Sequence, residues 1–201
     1  WRELDASKNT LVHETGPRFN FSVSADDFDL RGRGPVYWLS GRGYVGYVDY
    51  SGQTQPNGPV QSVHASSHTR YLGGVLESGG GYRFSNAAHS FGVDLVGGLG
   101  IDQWHRVIGN TTAMKTTPPA GTIFVNGAVE DYRIPYVKSG VGLFHANAGW
   151  MQYVQGGIKW PFATHEEAHL FGVTLAPDPA LSFYLQWQVA RLDADGRRSW
   201  F

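Results

Sequence analysis

The stretch HSFGVDLVGGLGIDQWH, residues His89 to His105, decides the fold that we predict for this chain. Its side chains alternate with a period of two between a mainly apolar row and a more polar row: Phe91, Val93, Leu95, Gly97, Leu99 and Ile101 against Ser90, Gly92, Asp94, Val96, Gly98, Gly100 and Asp102. The alternation continues for about fifteen residues, whereas a soluble strand averages about 5–6 and a tilted membrane-crossing strand needs about 9–11. The length therefore predicts a strand that crosses a membrane with one apolar face.

Seven other segments carry the same alternation or a weaker form of it: Leu11–Ala25, Tyr37–Tyr47, Arg70–Phe84, Tyr132–Leu143, Trp150–Trp160, Ala168–Leu175 and Leu181–Leu192. The run Tyr132–Leu143 is the least regular, because apolar groups occupy both of its faces. Pro135 within it has no amide N–H to give to a sheet, which predicts a β-bulge or a register change there.

The composition favours an all-β protein. The 201 residues include 27 Gly, 7 Trp, 10 Tyr and 11 Phe, and only 16% are charged, which is rich in turn and strand formers. Cysteine is absent, which excludes disulfides, thiolate metal sites and cysteine nucleophiles. With 16 Lys and Arg against 17 Asp and Glu, no overall charge draws the chain to nucleic acid. The mean hydropathy of -0.29 is compatible with a barrel, because only alternate residues face lipid.

The connections between these segments alternate in length. Ser85–Ala88, Asn147–Gly149 and Pro177–Pro179 are short, and 51–69 and 106–129 are long. Bacterial outer-membrane barrels have short periplasmic turns and long outer loops. Eight complete strands would leave both chain ends outside the cell, so we expect ten, with Trp1–Leu4 finishing an outgoing strand and Ser199–Phe201 starting an incoming one. The expected fold of residues 1–201 is a single antiparallel, up-and-down transmembrane β-barrel, eight strands complete and the terminal two truncated.

Several short motifs resemble a loosely characterised family of outer-membrane β-barrel proteins of Gram-negative bacteria: Trp1–Leu4, Glu14–Arg18, Val48–Thr54, Tyr82–Phe84, Lys159–Phe162 and Pro177–Pro179. They are spread over most of the chain. The resemblance implies a location in the bacterial outer membrane and a further aromatic strand after the last one visible here. It brings no established activity and no catalytic residues.

The row opposite the apolar one predicts a charged interior. It holds Glu14, Arg18, Arg42, Glu77, Arg83, Asp94, Asp102, Arg106, Lys138 and Lys159. Charges in a narrow lumen of low dielectric must pair or be neutralised by a change of protonation, so we expect a salt-bridged network that fills the barrel. Barrels of about eight strands are just wide enough for side chains to fill them. A narrow polar channel is the alternative.

The histidines raise the possibility of catalysis at the outer rim. The residues predicted near that rim are His64, His68, His105, Asp49, Asp102, Glu130 and Asp131. A histidine beside a carboxylate is the arrangement for general-base activation of water, and barrel proteases of the omptin type work at that level. The chain has no recognisable omptin motif, nucleophile elbow, phosphate loop or His-Glu-Xaa-Xaa-His motif. We therefore predict no enzyme, no cofactor and no metal, with solvated loop ends as the simpler interpretation.

The leading hypothesis is a non-enzymatic outer-membrane barrel that presents loops 51–69 and 106–129 outside the cell as an anchor, adhesion or assembly surface. Its expected partners are outer-membrane lipid and another envelope or extracellular protein, and not nucleic acid. The alternatives are a narrow channel for small solutes or ions and a surface hydrolase at the rim. A soluble lipocalin-like barrel is the alternative fold, and it would bury the apolar rows.

Overall fold

The computed structural model describes residues 2–4, 10–26, 33–53, 63–115, 120–147, 149–169, 172–176, 180–192 and 198–200. The strands in these ranges are β1 (Arg2–Leu4), β2 (Thr10–Thr15), β3 (Arg18–Asp26), β4 (Gly34–Gln53), β5 (His64–Ser85), β6 (Phe91–Ile108), β7 (Thr111–Lys115), β8 (Gly121–Val125), β9 (Val129–Asn147), β10 (Trp150–Pro161), β11 (His165–Ala168), β12 (Val173–Leu175), β13 (Ser182–Leu192) and β14 (Arg198–Trp200). Among the described residues, no helix has the length and apolar character needed to cross a membrane.

Twelve of these strands form one sheet that curls into a half-barrel, and β7 and β8 form a separate hairpin. The order along the sheet is β1, β2, β4, β5, β6, β9, β10, β13, β14. β3 follows β2 along the same edge of β4, and β11 follows β10 along the same edge of β9. Successive crossings of the sheet are therefore neighbours. The prediction of an all-β, antiparallel fold is confirmed.

The two faces of the curled sheet differ in polarity. On β6 the side chain of Asp94 is fully buried on the concave face, while the next residue, Leu95, is 51% exposed on the convex face. The exposed apolar side chains of the convex face include a set here called the apolar belt: Phe19, Phe21, Val23, Leu39, Val45, Leu72, Leu76, Leu95, Leu99, Val137, Val141, Val154, Phe183, Leu185 and Trp187. A lipocalin-like barrel would bury these rows, whereas here they lie on the outer surface.

The prediction that Ala168–Leu175 forms a separate crossing is wrong. β11 and β12 pair with each other, so this run is the end of a single hairpin, with Gly172 at a φ of 60°. Because β11 continues β10 and β12 leads into β13, the described residues form seven crossings and not eight. β14 consequently runs in the same direction as β1, opposite to the incoming strand predicted at the end of the chain. Trp1 and Phe201 lie outside the described residues.

The connections fall into two groups at opposite ends of the strands. Asn86–Ser90 and the turn at Gly149 mark the short-turn end. At the other, long-loop end the strands reach further than predicted, since β4 runs to Gln53 and β5 begins at His64. The predicted loop 106–129 contains the hairpin of β7 and β8. Of the predicted connections, Pro177–Pro179 lies outside the described residues, as do residues 54–62 of loop 51–69, residues 116–119 of loop 106–129 and residue 148 of Asn147–Gly149.

The irregularity predicted at Pro135 falls on the neighbouring strand. β9 keeps one register with β6 from Val129 to His145. On its other edge the register shifts by one residue between β10 and β11, where Ala163 has a φ of 50°. The Phe162 amide donates to the Pro135 carbonyl at 3.0 Å. In an antiparallel sheet the N–H and C=O of one residue point toward the same neighbouring strand. The nitrogen of Pro135 therefore faces the strand that carries the bulge. Because proline has no N–H, the bulge breaks no hydrogen bond that Pro135 could donate.

Candidate functional site

The concave face carries all ten charged residues predicted for the interior. The registers of β2 to β6, β9 and β10 place them on the face opposite the apolar belt. They form three groups along the crossing strands, at the short-turn end, in the middle and at the long-loop end. The candidate site is therefore a polar surface that extends over the length of the sheet.

At the short-turn end Arg83 and Asp94 form a bidentate ion pair. They are directly opposite each other on β5 and β6, and the Nε and Nη2 of Arg83 each donate to one Asp94 oxygen at 2.7 Å. The ring centre of Phe144 lies 4.3 Å from the guanidinium carbon, and Phe144 packs with Met151 and Tyr153 in a buried apolar cluster. The two charged side chains are 1% and 0% exposed, so the ion pair is buried, as charged groups removed from water must be paired.

In the middle, Glu77 joins three strands. Its Oε1 accepts hydrogen bonds from the Tyr136 hydroxyl at 2.5 Å and the Lys159 ammonium at 2.6 Å, and its Oε2 accepts one from Lys138 at 2.9 Å. Tyr136 and Lys138 come from β9 and Lys159 from β10, so the Glu77 carboxylate reaches across β6. One carboxylate with two cations leaves this group positively charged.

Gly100 of β6 makes that reach possible. In the register it lies between Glu77 and Tyr136, and a Cβ at Gly100 would come within 2.4 Å of the Tyr136 Cζ. Only the absence of a side chain leaves room for the tyrosine ring above β6.

We expect Gly100→Ala to lower the free energy of unfolding by about 1–3 kcal/mol, because the added methyl overpacks the space that Tyr136 occupies. The shift of the urea midpoint measures the effect. Gly97→Ala is the matched control on the same strand, since its Cβ would meet only the Lys138 carbonyl oxygen at 3.7 Å. Equal destabilisation by both substitutions would show that the loss comes from strand geometry and not from the tyrosine.

A cleft of about 290 Å³ opens on the same face and is lined by Arg18, Asn20, Arg42, Tyr44, Tyr71, Asp102 and Trp104. Tyr44 donates a hydrogen bond to Asp102 at 2.9 Å, and the Arg18 guanidinium carbon lies 4.1 Å from the Tyr71 ring centre. Within the part of the chain that the structure describes, Arg18 and Arg42 make no ion pair. The middle of the concave face thus has an excess of cationic side chains.

At the long-loop end Arg106 bridges two carboxylates. Its Nε and Nη2 donate to Glu14 at 3.1 and 3.0 Å, and its Nη1 donates to Glu130 at 2.6 Å. Tyr71 also donates a hydrogen bond to Glu14, and Tyr132 donates one to Glu130 at 3.1 Å. The side chains of Arg106 and Glu14 are 2% and 1% exposed, so this ion pair is buried on the concave face at the long-loop end, as that of Arg83 and Asp94 is at the other.

The histidine and carboxylate group predicted at the rim is divided by the sheet. Asp102 and Glu130 face the concave side, whereas His105 and Asp131 are cross-strand partners on the convex side. His105 contacts Asp131 at 2.9 Å and is therefore separated from Asp102 by the strand itself. His64 and His68 are also convex and contact other strands, at Ser51 (2.9 Å) and Asp49 (3.0 Å) respectively. Among the described residues, no group of three or more such side chains is arranged to hold a metal ion.

Asp131 lies between two imidazoles above the apolar belt. His169 reaches it at 2.6 Å from the end of β11, opposite His105. Partial burial by itself raises the pKa of Asp131, but the contacts with His169 and His105 outweigh it and hold that pKa below its usual value. The hydrogen bond to Asp131 in turn raises the pKa of His169. The His169 contact therefore stabilises the folded state below the ordinary histidine pKa and loses that contribution as the pH rises through the raised one.

Asp131→Asn is expected to lower the titration midpoint of His169 toward the ordinary histidine value of about 6.5. Nuclear magnetic resonance of the imidazole signals measures that midpoint. Asp49→Asn removes the partner of His68 instead and is the control, which should leave the His169 midpoint in place. An unchanged midpoint in Asp131→Asn would contradict the contact.

Sequence reasoning missed the tyrosines that complete these groups. Tyr71 and Tyr136 each donate to a carboxylate of the concave face, and both stand at concave positions, next to the convex residues Leu72 and Val137. Their position in the concave row of the alternation could have indicated these contacts, because a hydroxyl in a buried row needs a hydrogen-bond partner.

Comparisons with protein-family models, with curated proteins and with solved structures find no match for this chain. The resemblance of its short motifs to outer-membrane barrel proteins stays a prediction.

Proposed function

We propose that this chain is a non-enzymatic, membrane-crossing β-barrel protein of the bacterial outer membrane that presents its long-loop end as an attachment or assembly surface. The observation that carries the proposal is the reversal of polarity across one layer of strands, with Leu95 exposed and Asp94 buried on adjacent positions. An apolar surface as extensive as the apolar belt promotes aggregation in water, whereas in a bilayer it is stabilising.

A closed interior is favoured over an open pore by the ion pairs at the two ends of the concave face. Arg83 with Asp94 and Arg106 with Glu14 have side chains that are at most 2% exposed. Salt-bridged side chains at both ends obstruct the path that a solute would take along the strands. The barrel then acts as an anchor, and its function lies in what it displays.

The hairpin of β7 and β8 supports a role in attachment. Met114 and Phe124 are 67% and 65% exposed, and their cross-strand partners Thr122 and Thr112 place them on the same face. Exposed apolar side chains on a hairpin beyond the apolar belt form a surface suited to another envelope or extracellular protein.

The proposal is tested by trimming the long-loop end in cells. Short turns replace residues 54–62 and 110–126, and the trimmed protein is expected to fold in the outer membrane while losing its cross-links to envelope or extracellular proteins. An epitope inserted between β7 and β8 should be labelled on intact cells, and one inserted in Asn86–Ser90 should not. Unchanged cross-linking after trimming would contradict the attachment role, and failure of the intact chain to insert into lipid vesicles would contradict the membrane-crossing role.

A narrow channel for small anions is the second candidate, favoured by the cleft around Arg18 and Arg42. Conductance measured in planar bilayers distinguishes this channel from the closed barrel proposed above. A closed barrel gives no stable openings, whereas a channel of this kind opens with a preference for anions that weakens in Arg42→Gln.

A further inference from the structure

Beyond the apolar belt, the convex face continues at the long-loop end as a polar surface that the attachment role does not use. This convex rim consists of His13, Asp49, His64, His68, Arg70, His105, Asp131, Arg133, His165, Glu167 and His169. Arg70 is the next convex residue after Leu72 on β5, and Arg133 stands two convex positions from Val137 on β9. The convex rim therefore directly adjoins the apolar belt.

The three carboxylates of the convex rim lie against its histidines: Asp49 with His68 at 3.0 Å, Asp131 with His105 at 2.9 Å and His169 at 2.6 Å, and Glu167 with His169 at 3.8 Å. The two arginines are different. Arg70 and Arg133 are exposed, and within the described ranges neither makes an ion pair. Their cross-strand neighbours on the same face are Tyr47, Val107, Gln103 and His165. Two permanent positive charges thus point outward from the sheet.

We propose that the convex rim is a docking surface for the phosphate-bearing headgroups of an anionic membrane leaflet, with Arg70 and Arg133 as permanent contacts and the histidines as contacts that strengthen at low pH. The proposal rests on the membrane-crossing role proposed above, which brings the convex rim to headgroup level wherever the apolar belt lies in hydrocarbon. Tyr47 stacks on His68 with ring centres 5.0 Å apart, and aromatic side chains concentrate at that level of membrane barrels.

The geometry of the two arginines fits separate headgroups. They flank β6, opposite Val107 and Gln103, so they are about 13 Å apart along the strands and about 10 Å across them. Guanidinium groups bind phosphate oxygens with two parallel hydrogen bonds. Each arginine can therefore hold its own phosphate.

The histidines make the attraction depend on pH. With neutral imidazoles, the two arginines of the convex rim face three carboxylates, and protonation of its six histidines reverses the sign of the surface. The groups around Asp131 are His105 from β6, Arg133 on its own strand, and Glu167 and His169 from β11 and its end. Since the hydrogen bond to Asp131 raises the pKa of His169, this position gains its charge at a higher pH than an unperturbed imidazole would.

The test compares urea unfolding of the full chain in vesicles of phosphatidylcholine alone and of phosphatidylcholine with phosphatidylglycerol, at about pH 5 and about pH 8, on either side of the ordinary histidine pKa. The expected result is greater resistance in the phosphatidylglycerol vesicles, with a larger gain at the lower pH. Each of Arg70→Gln and Arg133→Gln should reduce the gain in the folded-to-unfolded ratio by about fivefold. His105→Asn with His169→Asn removes two of the six histidines and should reduce the pH-dependent part of the gain, and Gln103→Asn is the uncharged control on the convex face, opposite Arg133.

Phosphatidylcholine vesicles report whether each variant still folds, so loss of the phosphatidylglycerol gain alone is assigned to the headgroup contact. Inorganic phosphate added to phosphatidylcholine vesicles should not reproduce the gain, and if it does, the surface binds free phosphate and the lipid proposal is overturned. An equal gain for the wild type and for the variant that combines Arg70→Gln with Arg133→Gln also overturns it. If the chain enters neither kind of vesicle, the membrane-crossing role fails, and insertion without any phosphatidylglycerol gain rejects only the headgroup contact.

Discussion

Asp94→Asn is expected to lower the free energy of unfolding by about 3–5 kcal/mol, because it removes the carboxylate charge that is paired with the buried Arg83 guanidinium. Arg83 is 1% exposed, and its only cross-strand carboxylate among the described residues is Asp94. A guanidinium does not lose its proton at any ordinary pH, so Arg83 keeps its charge when the Asp94 carboxylate is removed. Urea unfolding in lipid vesicles, followed by tryptophan fluorescence, measures the loss.

The control removes both charges together. Arg83→Met combined with Asp94→Leu keeps the volume apolar beside Phe144 and Met151, and such replacements of buried ion pairs are often neutral or stabilising. The double variant is therefore expected to recover most of the stability lost in Asp94→Asn. A double variant as unstable as the single one would mean that shape, and not charge compensation, determines the role of Asp94.

Leu95→Arg is expected to lower the free energy of unfolding by about 2–4 kcal/mol in bilayers, by a mechanism unrelated to that of Asp94. Leu95 lies on the convex face between its cross-strand partners Tyr82 and Val141, both of them exposed. A charge placed there in hydrocarbon cannot be solvated. Transfer to a detergent that admits water at the protein surface should relieve much of the penalty.

Gly98→Arg separates the effect of lipid from that of crowding. A Cβ at Gly98 would lie 2.4 Å from the Ser78 carbonyl oxygen and 2.9 Å from the Trp38 ring, so this substitution disrupts packing in any solvent. Its penalty should persist in detergent while that of Leu95→Arg falls. If Leu95→Arg is as stable as the wild type in bilayers, the apolar belt does not face lipid.

The faces of the strands could be predicted because a strand offers each side chain only two directions. Once Asp94 and Leu95 were assigned to opposite faces, every other position of β6 followed from the alternation. The same rule applied to His105 and Asp102, which are three positions apart and so had to face opposite sides, although their nearness in the chain favoured a common site. The alternation contained the information that divides that group.

The number of crossings could not be predicted in the same way. Ala168–Leu175 has apolar residues at alternate positions like a crossing strand, but its turn depends on Gly172 and on the one-residue shift near Ala163. Neither leaves a pattern in hydrophobicity, because both are matters of backbone conformation. The pairing of Glu77 with Tyr136 across β6 was equally hidden, since it depends on Gly100, a residue with no side chain to signal a contact.

The bulge opposite Pro135 also determines which face of the sheet each side chain at the end of the hairpin occupies. Below it the even-numbered residues of β10 face the convex side, and above it the odd-numbered residues of β11 do, because Phe162–Thr164 contributes one residue more than β9 does. The bulge therefore shifts the alternation between the two faces by one residue. If the same residues instead continued the register of β10 without that shift, His165 and Glu167 would turn toward the concave side, and Glu166 and Ala168 would turn outward. Along this stretch, the number of residues between β10 and β11, more than the identity of any side chain, decides which side chains face outward.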